Sequence, residues 1–558
     1  MWGWLLLFAF SLAAGLGMRE PSPPDEPRFV LAAQHMVASG DWLVPHRGRE
    51  FYAEKPPVFM WMQASAQQMV GDWRVAFLLP SLLAGLATLW LTWDLSARLW
   101  GRRFAPYAVA ALWVCVQFGL QVKRAQIDMV LVCMTTLSLW GLLRHLLKGP
   151  AWGPLWLGAF AAGVGTVTKG VGFLPLLVLL PWMFARKTIA PTRRANEAVA
   201  WRWLVFVLAF VAGTAVWLGP LSLALIAHDD PALRAYANEL LFKQTGERYT
   251  NAWQHVQPAW YYLQVIVTLW LPGALLLPWL LPAWWRRLRR RDARFVLLLG
   301  WSVLVLLFFS SSPGKREMYI FPALPALCVA AAPLLPGLLR RRGVQWTLWL
   351  YVLVLSVAAT VMAALALSGS NDWAHRLANE RALAAPTIRV FLMWLLALGV
   401  VGIVLTAICG TRRGALAAVA FTVALWTTYG FGLAPALDAS SSAHGLMQTV
   451  GARIGADAEL GMVAWREQNL LQADRPTVDF GFKQPWDHQW REAAAWTAQA
   501  PRRRWLFVLK EALSPCVDPS KVVAIGQSNR RDWLLVPGDA LRLGCVTAPF
   551  GKAEENAE

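Results

Sequence analysis

Charge is scarce in this chain. Asp, Glu, Lys and Arg make up 15% of its 558 residues, and acids are the rarer kind, 33 against 52 Lys and Arg. An ordinary soluble domain carries about 25% charge and is about 45–50% apolar. Here 57% of residues are hydrophobic and the mean hydropathy is +0.43. Too few polar side chains exist to cover a large soluble enzyme, and the same apolar excess excludes disorder. Cysteine is sparse, and its six copies show no zinc-type CxxC spacing. Cys115, Cys133, Cys328 and Cys409 lie in apolar runs as packing residues. Cys516 and Cys545 lie in a polar tail, where an extracytoplasmic setting would let them pair. Tyrosine is rare at 9 residues, whereas Trp reaches 34 and Phe 25, which suits a multispan membrane protein with wide interfacial belts. The net charge of +19 would point to nucleic acid in a soluble protein. In a membrane protein it follows from the positive-inside bias, and no nucleic-acid partner is expected.

A bilayer core needs about 20 apolar residues per helix. The first run, Met1 to Gly17, has no basic n-region and no convincing cleavage site, so it reads as an uncleaved span. Further runs at about 75–100, 105–121, 127–147, 153–168, 170–185, 203–227, 262–283, 294–311, 318–338, 344–367, 388–408 and 414–434 bring the total to about 13. Every second connection is basic and almost free of acids: Arg102 and Arg103; Arg144 and Lys148; Arg186 to Arg202; Arg286 to Arg291; Arg340 to Arg342; Arg412 and Arg413. These are cytoplasmic by the positive-inside rule, which puts the N-terminus inside and the tail outside. The expected architecture is a membrane all-α domain over 1–437 and a small extracytoplasmic α/β domain over 438–558. Two outer loops, 18–74 and 228–261, are long, and the amphipathic stretch Phe29–Val37 is expected to lie in the interface plane. In the tail, Gly461–Trp465, Arg504–Leu509, Lys521–Ile525 and Asp532–Val536 read as strands and Ala493–Ala500 as a helix.

The outer face gathers cations that the topology should keep away from it. Asp25, Glu26 and Arg28 follow a proline-stiffened exit from the first span. Tyr52, Glu54 and Lys55 precede Pro56 and Pro57, which hold Lys55 out of any helix. Lys123 and Arg124, with Asp128, fill a connection too short to be solvated. Lys243, Arg248, Tyr249 and His255 lie in the second long loop. Lys315, Arg316 and Tyr319 open a later span. Each group has a structural alternative: a helix cap for Asp25 or Glu26, a snorkelling pair for Lys55 and Glu54, an Asp128–Arg124 pair. Taken together, Arg28, Lys55, Lys123, Arg124, Lys243, Arg248, Lys315 and Arg316 predict a cavity that neutralises lipid-borne phosphates at the outer leaflet.

Asp25-Glu26-x-Arg28, Ser39-Gly40-Asp41-Trp42-Leu43-Val44-Pro45, Tyr52-x-Glu54-Lys55-Pro56-Pro57 and Lys315-x-x-x-Tyr319-x-x-Pro322 resemble the protein mannosyltransferase type of C-fold glycosyltransferase. The closer resemblance is to its bacterial branch, the ArnT-type aminoarabinose transferases of lipid A. That resemblance implies a multi-pass enzyme of the bacterial inner membrane, working as a monomer among membrane lipids. It would move 4-amino-4-deoxy-L-arabinose from undecaprenyl phosphate to a lipid A phosphate and so confer polymyxin resistance. By position it implies Asp25, Lys55 and Asp128 as catalytic. Glu26, Arg28, Tyr52, Lys123, Arg124, Lys243, Arg248, Tyr249, Lys315, Arg316 and Tyr319 are implied to bind substrate. No cofactor is required; a structural divalent metal such as zinc is implied, with Glu54 and His255 as its ligands.

Two other classes compete. A protein O-glycosyltransferase using polyprenyl-linked mannose shares the scaffold. A secondary transporter also has about 12 spans, but it places ionisable groups near mid-depth on broken helices, whereas here Asp94 and Asp128 sit near span ends.

Overall fold

A computed structural model describes residues 2–185, 200–241, 256–369, 383 and 385–542. The protein is mostly helical and multi-pass. Among the described residues, seven helices are long and apolar enough to cross a bilayer: Trp73–Trp100, Ile127–Lys148, Ala200–Ala227, Ala293–Ser311, Arg342–Leu367, Pro386–Cys409 and Gly414–Ala436. Two further apolar stretches are broken rather than straight. Ala105–Trp113 and Val116–Val122 meet at 72°, and Tyr261–Leu269 and Gly273–Arg289 meet at 101°. The expected run at 318–338 folds as the shorter helices Ala323–Ala331 and Leu335–Leu338. Prolines 322, 325, 333 and 336 punctuate it, with Pro333 in the break between the two helices, where a proline cannot supply the N–H that would continue the first. Hydropathy therefore located the apolar runs, but it could not tell a straight span from a bent one.

Helix Glu26–Ser39, expected in the interface plane, packs its apolar residues against protein. Phe29, Val30, Ala32, Ala33 and Met36 are buried in the main hydrophobic core, and Leu31, on another face, packs against the core of the tail. Its apolar moment is satisfied by protein on both sides. Helix Val58–Val70 runs beside it, and Phe29 meets Phe59 edge-on at 5.4 Å. A two-stranded ribbon, β1 (His46–Arg47) and β2 (Glu50–Phe51), joins the two helices.

The tail carries a five-stranded sheet. Its strands are β3 (Glu459–Val463), β4 (Thr477–Asp479), β5 (Arg504–Leu509), β6 (Val523–Ser528) and β7 (Arg531–Pro537). They lie in the order β4-β3-β5-β7-β6, with β4, β3 and β5 parallel and β7 antiparallel to β5 and β6. Helix Trp486–Ala498 covers the sheet through Trp490 and Ala493. Four of the strands match the apolar runs in sequence; β4, three residues long, is too short to show a period of two. Cys516 is disulfide-bonded, and its expected partner Cys545 lies outside the described residues. Cys115, Cys133, Cys328 and Cys409 are free thiols.

Candidate functional site

Asp25 stands where helix Glu26–Ser39 begins, with Pro27 in the first turn where a missing N–H costs nothing. Its side chain makes no capping hydrogen bond. The carboxylate instead accepts from Gln126 Nε2 at 2.8 Å and faces Arg28 at 3.9 Å and Arg316 at 3.8 Å. It is thus held by three separate elements and not consumed by helix termination. Glu26 is the opposite case. It is 4% exposed, contacts Arg19 at 2.5 and 2.7 Å, and accepts from the backbone N–H of Ser22 and Ala125 at 2.9 Å each. Burial pushes its pKa up, but Arg19 and the backbone donors outweigh that and hold it below the usual range. Glu26, expected on substrate, ties the first helix exit to the 123–126 link through these bonds.

Asp128 lies buried in the first turn of helix Ile127–Lys148 and ion-pairs with Lys169. Lys169 ends helix Trp152–Lys169, where Gly170 turns the chain through φ +81°. The Lys169 Nζ also sits 5.1 Å from the Tyr319 ring centroid. Contacts and short chain steps close a ring: Asp25 to Gln126, on to Asp128, across to Lys169, over Tyr319, back three residues to Arg316, and again to Asp25. The alternative pairing of Asp128 with Arg124 does not form. Arg124 is half-buried and engages no carboxylate among the described residues.

A second web adjoins this ring. Arg28 meets Glu54 and Glu467 at 3.6 Å each; Arg47 meets Glu54 at 3.0 Å and Glu467 at 3.3 Å. Two guanidiniums and two carboxylates neutralise one another, which is what low-dielectric surroundings demand of buried charge. Tyr52 is 1% exposed, lies under Arg47 at 5.3 Å, and its hydroxyl has no hydrogen-bond partner among the described residues. Burial, then Glu54, raises its pKa well above the ordinary phenol range. Lys55 follows, half-buried, at the rim.

Three expected residues are engaged by the protein itself. The Lys123 amine donates to the carbonyls of Leu12 at 3.1 Å and Ala14 at 2.7 Å, closing the C-terminal end of the first helix. Lys315 is also turned inward and donates to Gln257 O at 3.1 Å. Both amines neutralise carbonyl groups that lack helical partners. Glu54, expected on a metal, is bound by guanidiniums. Among the described residues no group of three or more His, Cys, Asp or Glu is assembled for a metal. Lys243, Arg248, Tyr249 and His255 lie outside the described residues.

Residues that sequence reasoning missed are Lys169, Gln126, Arg47 and Glu467. Lys169 had a signal, because a lone base ending an apolar run on the outer side breaks the positive-inside bias as Lys123 does. Glu467 had none; it reaches the site only through the fold of the tail.

The family described as dolichyl-phosphate-mannose-protein mannosyltransferase matches residues 54–217. An undecaprenyl phosphate-alpha-4-amino-4-deoxy-L-arabinose arabinosyl transferase of Pectobacterium carotovorum is 30% identical over 380 residues, 65% of this chain and 64% of the relative. A protein of the same name from Aeromonas hydrophila is 30% identical over 384 residues, 66% of each chain. One from Pseudomonas aeruginosa is 34% identical over 336 residues, 58% of each. The chain thus spans somewhat under two thirds of the length of these relatives. In fold the match is nearly complete: the crystal structure of ArnT from Cupriavidus metallidurans bound to undecaprenyl phosphate aligns with a TM-score of 0.72 at 22% identity, covering 98% of this chain and 99% of that one.

Proposed function

We propose, for a chain related in sequence and in fold to the ArnT-type aminoarabinose transferases, that it moves 4-amino-4-deoxy-L-arabinose from undecaprenyl phosphate to a lipid A phosphate. It is an inverting, lipid-linked-sugar glycosyltransferase of the bacterial inner membrane. About 13 spans carry the site on the periplasmic side, with the N-terminus cytoplasmic and the 438–558 domain periplasmic. Lipid A is the acceptor, and reducing its negative charge gives polymyxin resistance. The observation that carries the reading is the convergence of Asp25, Gln126, Arg316, Asp128, Lys169 and Tyr319 in one ring.

The chemistry follows from the charges. As the anomeric C–O bond breaks, negative charge develops on the departing undecaprenyl phosphate. Cations already fixed beside it stabilise that charge without reorganisation; Lys55, Arg124 and Arg316 are assigned this role, with Arg248 from the second outer loop. The acceptor phosphate is already an anion and needs little base activation. Asp25 therefore orients the reacting groups or pairs with the sugar ammonium, and Asp128, fixed by Lys169, shapes the other side. Tyr52 stays protonated and supplies an O–H donor. No cofactor is required by this step. A structural divalent metal such as zinc, with Glu54 and His255 as ligands, would first have to displace Arg28 and Arg47 from Glu54.

The second reading, a polyprenyl-phosphate-mannose protein O-glycosyltransferase, draws on the mannosyltransferase match over 54–217. In that case Asp25 would act as general base on an acceptor hydroxyl. Mass spectrometry of lipid A from cells with and without the chain decides. A gain of one aminopentose on a phosphate is expected. Unmodified lipid A alongside mannosylated protein would replace the first reading with the second.

A further inference from the structure

The tail sheet has a topological switch. The chain leaves β3 toward β4 on one side and leaves β5 toward β7 and β6 on the other. In parallel sheets, ligands bind outside the carboxyl ends of the strands at such a point. Arg466 follows β3 there and Glu511 follows β5. Arg531 arrives at the same end, because β7 is antiparallel with Leu509 opposite Trp533.

That end of the sheet faces the membrane domain. Glu467, next to Arg466, meets Arg28 of helix Glu26–Ser39 at 3.6 Å. The β6–β7 turn touches the chain where it leaves the last membrane helix: Asn529 Nδ2 lies 3.5 Å from Ser441 O.

Guanidinium groups gather at this crevice. Arg466 is half-buried. Burial and the facing guanidiniums of Arg531 and Arg28 hold its pKa below the usual value, and Glu467 and Glu511 offset only part of that. Arg530 is exposed and Arg531 half-buried, and neither has an ion pair among the described residues. Asn469, fully buried beside Arg466, accepts from the Arg466 N–H at 3.2 Å, while its Nδ2 donor finds no partner among the described residues. The turn itself puts Asn529 at φ +52° and Arg530 at φ +63°. That pattern ordinarily takes Asn-Gly, so an arginine is held where glycine would be more comfortable.

We propose that Arg466, Arg530 and Arg531 form a second phosphoryl-binding site on the tail, which holds a phosphoryl group of the acceptor glycolipid other than the one that receives the sugar. This rests on the acceptor being a phosphorylated glycolipid. The lipid-linked donor brings one phosphate, and that phosphate belongs at the Asp25 ring. A cation cluster on the tail, joined to the ring through Glu467 and Arg28, fits a ligand that carries a second phosphoryl group on its sugar headgroup.

The test uses the full chain in lipid nanodiscs with the undecaprenyl-phosphate-linked donor. Bisphosphoryl lipid A is compared with the same lipid lacking one phosphate. Wild type should show a KM for the bisphosphoryl acceptor lower by on the order of tenfold. Arg531→Gln should abolish that difference while leaving the donor KM unchanged, and Arg531→Lys should restore part of it. Arg530→Gly relaxes the turn, so it should fold at least as well and still narrow the gap. An Arg531→Gln effect equal on both acceptors, or one seen only in anionic nanodiscs and absent from zwitterionic ones, overturns the proposal. Transfer to neither acceptor by wild type would instead overturn the aminoarabinose reading beneath it.

Discussion

Lys169 and Asp128 form a buried ion pair across 41 residues of sequence, and the face of Tyr319 lies over the same ammonium. The pair joins two helices that otherwise meet through small residues: a Cβ on Gly158 would lie 2.9 Å from Ser138 O. Such close backbone approach fixes the helices, and the ion pair fixes what their adjoining ends present to the Asp25 ring.

Removing one partner should be worse than removing both. Lys169→Met strands a buried carboxylate and should destabilise the protein by about 3–5 kcal/mol. The double variant Asp128→Asn with Lys169→Met should regain most of that stability in a detergent thermal melt. Transfer should remain low in both, because the ring is broken in either.

Asp25→Asn keeps the shape and the Gln126 contact while removing the charge that faces Arg28 and Arg316. Turnover should fall by about a hundredfold, with the donor KM little changed. A fall confined to the donor KM would move Asp25 from orientation to donor binding.

Glu467→Gln leaves Arg28 and Arg47 with fewer buried counter-charges. A loss of about 2–3 kcal/mol is expected, read as a lower unfolding temperature. Since Glu467 belongs to the tail and the arginines to the first outer loop, protease sensitivity of the tail should rise together with the loss of activity.

The segment between the first helix and helix Val58–Val70 should be sensitive to acid. His46 stacks on His35 at 4.1 Å, bonds Val44 O at 3.0 Å and lies near Asp41. Burial, then His35, lowers its pKa from 6.5. A folded-state pKa below the unfolded value means that the unfolded chain binds more protons, so stability rises with pH through this range. Stability should therefore be intact above about pH 6.5 and decline as pH falls below it. His46→Phe, which keeps the stack on His35, should flatten that slope in melts between pH 5 and pH 7.5.

The candidate residues were legible in sequence because they depart from a rule: Lys55, Arg124 and Arg316 are bases on connections that the charge alternation assigns to the base-poor side, and Asp25 and Asp128 are acids beside them. The direction of each side chain was not legible. Lys123 and Arg124 are neighbours with the same signal in sequence, yet the Lys123 amine turns to Leu12 and Ala14 while the Arg124 guanidinium engages no carboxylate among the described residues, a difference set by where the first helix happens to end. Glu26 and Asp25 divide in the same way: Glu26 is fixed by Arg19 and two backbone donors, and Asp25 is left for Gln126 and Arg316. In the tail, β5 and β7 were readable as continuous apolar runs, while Glu467 came to the arginines of the loop through a three-dimensional return that no local pattern encodes.

Helix Glu26–Ser39, enclosed between two hydrophobic cores, has a practical corollary for anyone recombining such proteins. Its Leu31 and Arg28 belong to the tail as much as Phe29 and Asp25 belong to the spans, so a seam cut at Asp438 severs one cooperative unit. A chimera given a foreign tail should work only when residues 26–54 travel from the same parent.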